Sequence, residues 1–221
     1  MENSYRSILE DGITELSLTV SSEKVDCLLA YHELLIKWNK AYNLTAVRNP
    51  REMVSRHLLD SLTVAPYLKG NHFIDIGAGA GLPGIVLAIL FPERKFDLLD
   101  SNGKKTRFLF QVKTELALDN VNVQHCRAEQ HVTQHGYDGV LSRAFATLTD
   151  MVTSSEHLLA DDGLFLAMKG VYPESELKKL SELGKDYTVD ACHTLQVPGD
   201  SGERHLIVIG RGKQPIKSVE R

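Results

Sequence analysis

The sequence predicts an α/β fold: a mostly parallel, seven-stranded sheet flanked by helices, with its last strand antiparallel and a helical extension in front. Three observations predict it. Residues 1–68 carry helical periodicity. Past Gly70, strand-like runs alternate with helical stretches, the pattern of a parallel sheet covered on both faces. The chain then closes with two strand-like runs and no helix between them, so one antiparallel strand is expected at the end. These observations divide the chain into an N-terminal extension (1–68) and a core (69–221).

Each element follows from local chemistry. In "SSEKVDCLLAYHELLIKWNKAYN" (21–43), Val25, Leu28, Leu29, His32, Leu35 and Ile36 share one helical face. Ser21 or Ser22 can cap that helix, with Glu23 in its first turn. A second helix is expected after Pro50, over "REMVSRHLLDSLTVAPYL", ending before Pro66 or Gly70. The core opens with a strand "HFIDIG" (72–77) and a helix "LPGIVLAILFP" (82–92). A strand "KFDLLDS" (95–101) and a helix "GKKTRFLFQVKTELAL" (103–118) follow, then strands "VNVQHCRA" (121–128) and "YDGVLSRAF" (137–145). Next come a helix "TLTDMVTSSEHLLA" (147–160), a strand "GLFLAMKG" (163–170) and a helix "PESELKKLSEL" (173–183). The closing strands are "YTVDACHTLQVP" (187–198) and "RHLIVIGR" (204–211), joined by the turn "GDSGE".

Bulk properties exclude several classes. A chain of 221 residues with 43% hydrophobic and 24% charged content can bury a substantial core. Its N-terminus is polar and acidic, unlike a secretory signal, and its most apolar run, "LPGIVLAILF", is about half a bilayer span. A cytoplasmic protein with no membrane association is therefore expected, and a monomer is taken as the default. Cys27, Cys126 and Cys192 are odd in number and far apart, which argues against disulfides and zinc and reads as buried, unreactive thiols. "HVTQH" sets His131 and His135 at helical i,i+4 spacing but lacks the glutamate of a zinc-protease motif, so no metal is expected. With a net charge of −4, any nucleic-acid role needs a local basic face.

The chemistry begins at "FIDIGAGAGLPG" (73–84), an acid followed by a glycine turn. A nucleoside-triphosphate loop needs a lysine after the glycines, and none is there. A dinucleotide site is formally possible through Gly79, Gly81 and Gly84, with Asp100 closing the next strand as a ribose-binding acid. S-adenosylmethionine fits better. Its pattern is an acid two residues before GxGxG, here Asp75, Gly77, Gly79 and Gly81. A pyrophosphate would be repelled by Asp75, whereas a cofactor with an amino-acid tail and a sulfonium would not. Asp100 serves either cofactor, because each presents a ribose diol. An antiparallel last strand also departs from the dinucleotide fold.

Seven motifs in order make the resemblance specific: "WNKAYNLTAV" (38–47), "RHLLDSL" (56–62), "FIDIGAGAGLPGI" (73–85), "LLDSNGKKTRFL" (98–109), "SRAFATL" (142–148), "AMKG" (167–170) and "GERHLIVI" (202–209). With these the chain closely resembles the bacterial 16S ribosomal RNA guanine-N7 methyltransferases, the small-subunit methyltransferase G (glucose-inhibited division protein B) family. The resemblance implies a Rossmann-like, class I S-adenosyl-L-methionine-dependent methyltransferase acting on N7 of guanine 527, in the 530 loop of 16S rRNA in the small ribosomal subunit. It implies further that Gly77 and Leu82 line the cofactor turn, Asp100 meets the ribose, Ala128 and Glu129 flank the adenine, and Arg143 reaches the cofactor or target.

That chemistry agrees with what the residues lack. Guanine N7 carries a free lone pair, so no general base is required. The Asn/Asp-Pro-Pro-aromatic motif suited to an exocyclic amine is missing, and the fourth strand ends in "SRAF". Because N7 is inaccessible in A-form RNA, the target must be splayed out. Phe145 is a candidate stacking platform, with a core aromatic as the competing reading. Arg143, Lys169 and Arg204 are expected nearest the RNA phosphates. Lys104, Lys105 and Arg107, and the set Arg48, Arg51, Arg56 and His57, are further basic groups that could equally be solvated. The rival readings are a small-molecule methyltransferase with an apolar pocket closed by the N-terminal region, an NAD-dependent oxidoreductase, and a non-catalytic RNA-binding module.

Overall fold

The computed structural model describes residues 2–143, 147–183 and 187–212. Phe145 lies outside the described residues.

The N-terminal region folds as α1 (Glu2–Glu15), α2 (Ser22–Tyr42) and α3 (Pro50–Met53). Ser21 caps α2 by accepting the Lys24 amide, and Asn43 ends it in the left-handed region. The buried stripe of α2 is Val25, Leu28, Tyr31, His32, Leu35 and Asn39. Leu29 and Ile36, expected on this face, are only half-buried, because the stripe runs through Tyr31 and Asn39 instead. Asn39 tolerates burial by donating to the Val47 carbonyl and accepting the Thr45 amide.

The single helix expected after Pro50 is interrupted. Following α3, residues Val54–Leu59 form a π-helical turn that passes into α4 (Asp60–Leu62) and a 3-10 turn at Ala65–Tyr67. Such turns are rare and often mark functional positions. This one buries His57, and α4 after it buries Asp60 and Ser61, among leucines.

Seven strands form one sheet: β1 (His72–Ile76), β2 (Lys95–Leu99), β3 (Val121–Gln124), β4 (Tyr137–Ser142), β5 (Leu159–Lys169), β6 (Tyr187–Thr194) and β7 (His205–Arg211). Their order is β3-β2-β1-β4-β5-β7-β6. The pairings among β1 to β5 are parallel, while β7 runs antiparallel to both β5 and β6, inserted between them. The expected sheet, with its antiparallel last strand, is the one observed. Strand order reverses between β1 and β4, which opens a crevice at the carboxyl ends of the strands.

Helices α5 (Gly84–Leu90) and α6 (Gly103–Glu115) cover one face of the sheet and share a single apolar cluster with α1, α2 and the π-helical turn. Helices α7 (Leu148–Ser155) and α8 (Glu174–Ser181) cover the other face. α7 ends earlier than its apolar pattern suggests, because Leu159 already joins β5 beside Tyr137.

Two local readings need correction. Cys27 and Cys126 are only partly buried and Cys192 is exposed, since it sits on the edge strand β6. "HVTQH" is not helical. His131 is extended at the end of a 3-10 turn, where its ring is within 2.8 Å of the Tyr137 hydroxyl. Among the described residues no three His, Cys, Asp or Glu side chains group as metal ligands, and no helix is long and apolar enough to cross a membrane.

Candidate functional site

The glycine turn joins β1 to α5. Gly77, Gly79 and Gly81 have φ of +67°, +59° and +88°, a region that side chains disfavour. The backbone coils tightly: the Gly81 amide bonds the Ala78 carbonyl at 2.7 Å, and the Ile85 amide bonds Gly81 at 2.8 Å. A methyl group on Gly81 would lie 2.5 Å from Ile85 Cγ1. Packing requires this glycine as firmly as its φ does.

Two carboxylates hold the turn. Asp100, just past β2, accepts the Gly79 amide at 2.9 Å on Oδ2 and the Asn102 amide at 2.8 Å on Oδ1. Lys105 Nζ stands 3.7 Å from Asp100 Oδ2. Asp75 lies beneath the turn and is 1% exposed. Its Oδ2 accepts the Gly84 amide at 2.9 Å, while Oδ1 is buried with no hydrogen-bond partner. Burial pushes this carboxyl up to about 7, against the opposing pull of the Gly84 amide and Arg143. An unpartnered buried acceptor under a glycine cradle fits the amino end of a cofactor better than a pyrophosphate.

The remaining expected cofactor residues divide. Ala128 and Glu129 lie in the 3-10 turn after β3, at the same sheet end as Asp100. Ala128 is buried and Glu129 exposed, so only the latter offers a free side chain. Leu82 is 3% exposed and packs into the core cluster, leaving its backbone to shape the turn.

Arg143, Lys169 and Arg204 come together elsewhere. They line a cavity of about 270 Å³ with Arg56, His57 and Asp60, beyond the ends of β4 and β5. Asp60 is 2% exposed and receives Arg143 Nη1 at 3.2 Å and Arg204 Nε at 3.0 Å. Arg204 also donates to Asp200 at 2.8 Å. Lys169 pairs with Glu176 at 2.8 Å, and Glu176 in turn accepts the Leu148 amide.

His57 completes the wall. Its Nδ1 lies 2.8 Å from the Arg56 carbonyl and its Nε2 2.9 Å from the Thr45 hydroxyl, which itself accepts the Val47 amide. The arrangement suits a neutral ring that donates from Nδ1 and accepts at Nε2. Burial first, then the positive Arg143, pushes its pKa down to about 4.

Of the other basic groups, Lys104 and Arg107 are exposed on α6, and Arg48 is held by the Asn39 carbonyl and Asn43. The sequence reading missed Asp60, Glu176 and Tyr31, whose hydroxyl donates to the Ala80 carbonyl in the glycine turn at 2.7 Å. An acid among the leucines of "RHLLDSL" was the one available signal for Asp60.

Comparison with known proteins matches this arrangement. The family model GidB, described as rRNA small subunit methyltransferase G, matches residues 24–207. A ribosomal RNA small subunit methyltransferase G from Stutzerimonas stutzeri is 52% identical over 213 residues, covering 96% of this chain and 98% of its own. A protein of the same name from Pseudomonas syringae pv. syringae is 54% identical over 203 residues, covering 92% of this chain and 94% of its own. Among solved structures, the glycopeptide N-methyltransferase MtfA complexed with S-adenosyl-L-methionine superposes with a TM-score of 0.59 at 9% identity, over 70% of this chain and 94% of its own. A precorrin-6y C5,15-methyltransferase from Geobacter metallireducens gives 0.51 at 16% identity, over 77% and 92%. These two likenesses concern the fold alone.

Proposed function

The chain belongs to the rRNA small subunit methyltransferase G family, and from that premise we propose that it methylates N7 of guanine 527 in the 530 loop of 16S rRNA. The fold is that of class I methyltransferases and the cofactor is S-adenosyl-L-methionine. The observation that carries the substrate reading is the polar cavity beyond the ends of β4 and β5, where Arg56, Arg143, Lys169 and Arg204 gather despite a net negative chain. Clustered cations of this kind suit RNA phosphates. A small-molecule methyltransferase would instead call for an apolar pocket.

When bound, S-adenosylmethionine supplies an electrophilic methyl group on its sulfonium. The Gly77–Gly81 turn admits the cofactor against bare backbone, and Asp100 keeps spare lone pairs on both oxygens for the ribose hydroxyls. Glu129, exposed in the turn after β3, would face the adenine. The N7 lone pair that would receive this methyl group is free and calls for no prior deprotonation by a residue of the chain. The cavity groups agree with this: His57 engages both ring nitrogens and Asp60 is taken by two arginines. The enzyme's task is to hold N7 in line, about 3–3.5 Å from the methyl carbon. Arg143 positions the target, with Phe145 as a stacking platform, while Lys169 and Arg204 hold phosphates.

In this reading, residues 1–68 act as an extension that buttresses the turn and 69–221 as the catalytic core. A single chain supplies every group, and no step needs a metal. The test is transfer of tritiated methyl from S-adenosylmethionine to unmodified small ribosomal subunits, with the label mapped by RNA fragmentation. Label on N7 of a 530-loop guanine supports the reading; label elsewhere overturns the target. Recognition through RNA shape predicts poor transfer to a short loop oligonucleotide.

A further inference from the structure

Asp60 is the most constrained charged group of the cavity, and the methyl-transfer chemistry gives it no part. It is 2% exposed, starts α4 directly after the π-helical turn, and holds one arginine on each carboxylate oxygen. Those arginines come from strands on either side of β5: Arg143 follows β4, and Arg204 precedes β7. Their side chains are 25% and 20% exposed, so each guanidinium reaches the cavity while anchored from below.

Two guanidiniums repel each other, and free side chains of this length would sample many rotamers. A shared buried carboxylate removes both problems. It offsets the repulsion and fixes the spacing and tilt of two planar donor forks. The anchor extends sideways, because Arg204 also bonds Asp200, and Arg143 Nη1 lies 3.1 Å from the Arg56 carbonyl within the π-helical turn.

From this geometry we propose that Asp60 is a positioning residue. It sets Arg143 and Arg204 as a preformed receptor that docks the RNA backbone and registers the target base with the cofactor. It touches neither cofactor nor base. The proposal deepens the RNA-methylation reading and rests on it for the identity of the ligand.

The test uses Asp60→Asn in the full-length chain, which keeps the volume but removes the charge. Bulk methyl transfer to unmodified small subunits should fall at least 30-fold in kcat/KM, with S-adenosylmethionine affinity within about threefold of the parent. The slope of log affinity for the subunit against log salt should flatten, since disordered arginines neutralise fewer phosphates. In arginine-resolved NMR of the free protein, the Nε–H of Arg204 should exchange slowly in the parent and rapidly in the variant. The double variant Asp60→Asn/Arg204→Gln should lose no more than about threefold beyond Asp60→Asn alone. A variant with parental transfer and salt slope overturns the proposal. So does additive loss in the double variant, or cofactor affinity lost in parallel with transfer. Bulk label scores the experiment wherever the methyl lands, and the NMR arm needs no substrate, so a wrong target and a wrong role for Asp60 give different results.

Discussion

Asp75 Oδ2 accepts the amide of Gly84 at 2.9 Å, which ties the end of β1 to the start of α5 across the whole glycine turn. The pair leaves no room at Gly84. A methyl group there would lie 2.2 Å from Leu98 Cδ2 and 2.9 Å from Asp75 Oδ2. Gly84→Ala should therefore cost about 2–3 kcal/mol of stability through overpacking and displace the carboxylate. Gly79→Ala meets nothing nearer than 3.7 Å but must adopt φ near +59°, a strain of about 1–2 kcal/mol. Urea unfolding should rank Gly84→Ala as the more damaging. Equal losses would mean that the Asp75–Gly84 contact does not restrict that position.

Asp75 and His57, two of the perturbed groups of the site, make opposite demands on pH. Asp75 is raised from 3.8 to about 7, so its contribution is fullest below pH 4 and is lost as pH rises towards 7. His57 is lowered from 6.5 to about 4, so its contribution is full above pH 6.5 and is lost as pH falls towards 4. Each shift corresponds to a few kcal/mol at the limits of its window, on the order of 1.4 kcal/mol per pH unit. These two contributions oppose each other between pH 4 and 6.5. Asp75→Asn should leave the His57 slope, with Tm rising with pH across that range. His57→Gln should leave the Asp75 slope, with Tm falling from pH 4 to 7. Thermal unfolding from pH 4 to 8 checks both, and a variant that tracks the parent removes that group from the account.

Lys169 is held at 2.8 Å by Glu176, whose carboxylate also accepts the Leu148 amide. A lysine anchored in this way adds charge to the cavity with little freedom left to lose. Lys169→Gln should weaken binding to the small subunit and lower the magnitude of the salt slope by about one. Stability should change by under about 1 kcal/mol, because the pair is only partly buried. A slope identical to the parent's would place Lys169 off the RNA path.

The fold and the glycine turn were legible for a common reason: their signals are local. The acid–glycine spacing of Asp75 to Gly81, the acid Asp100 at a strand end and the cap at Ser21 are each written within a few residues. The helix-free final pair likewise announced the antiparallel β7. What stayed hidden depends on partners distant in sequence. Asp60 reads as a polar interruption until folding brings Arg143 and Arg204 to it, 83 and 144 residues away. The π-helical turn was illegible because the apolar spacing of "RHLLDSL" suits an α-helix equally well. Cys192 was misjudged because an unpaired strand edge is a property of topology, not of the residue.

Tyr31 shows that the N-terminal helices do more than cover the sheet. Its fully buried hydroxyl reaches from α2 to the Ala80 carbonyl at 2.7 Å, and its ring lies 6.4 Å from Phe108 of α6. Ala80 stands between the two left-handed glycines Gly79 and Gly81, so this bond is a second prop of the turn besides the Gly79–Asp100 bond. Tyr31→Phe keeps the ring packing but leaves a buried carbonyl unpartnered, a cost of about 1–3 kcal/mol. If the bond also fixes the shape of the turn, the variant should bind S-adenosylmethionine about 3- to 10-fold more weakly by calorimetry, with kcat at saturating cofactor close to the parent. Tyr31→Leu should lose the ring contact as well and fall further in stability, without a matching further loss of cofactor affinity. Affinity that simply follows stability through both variants would reduce Tyr31 to a core residue. Weaker binding already complete in Tyr31→Phe would make one hydrogen bond from the extension part of the cofactor site.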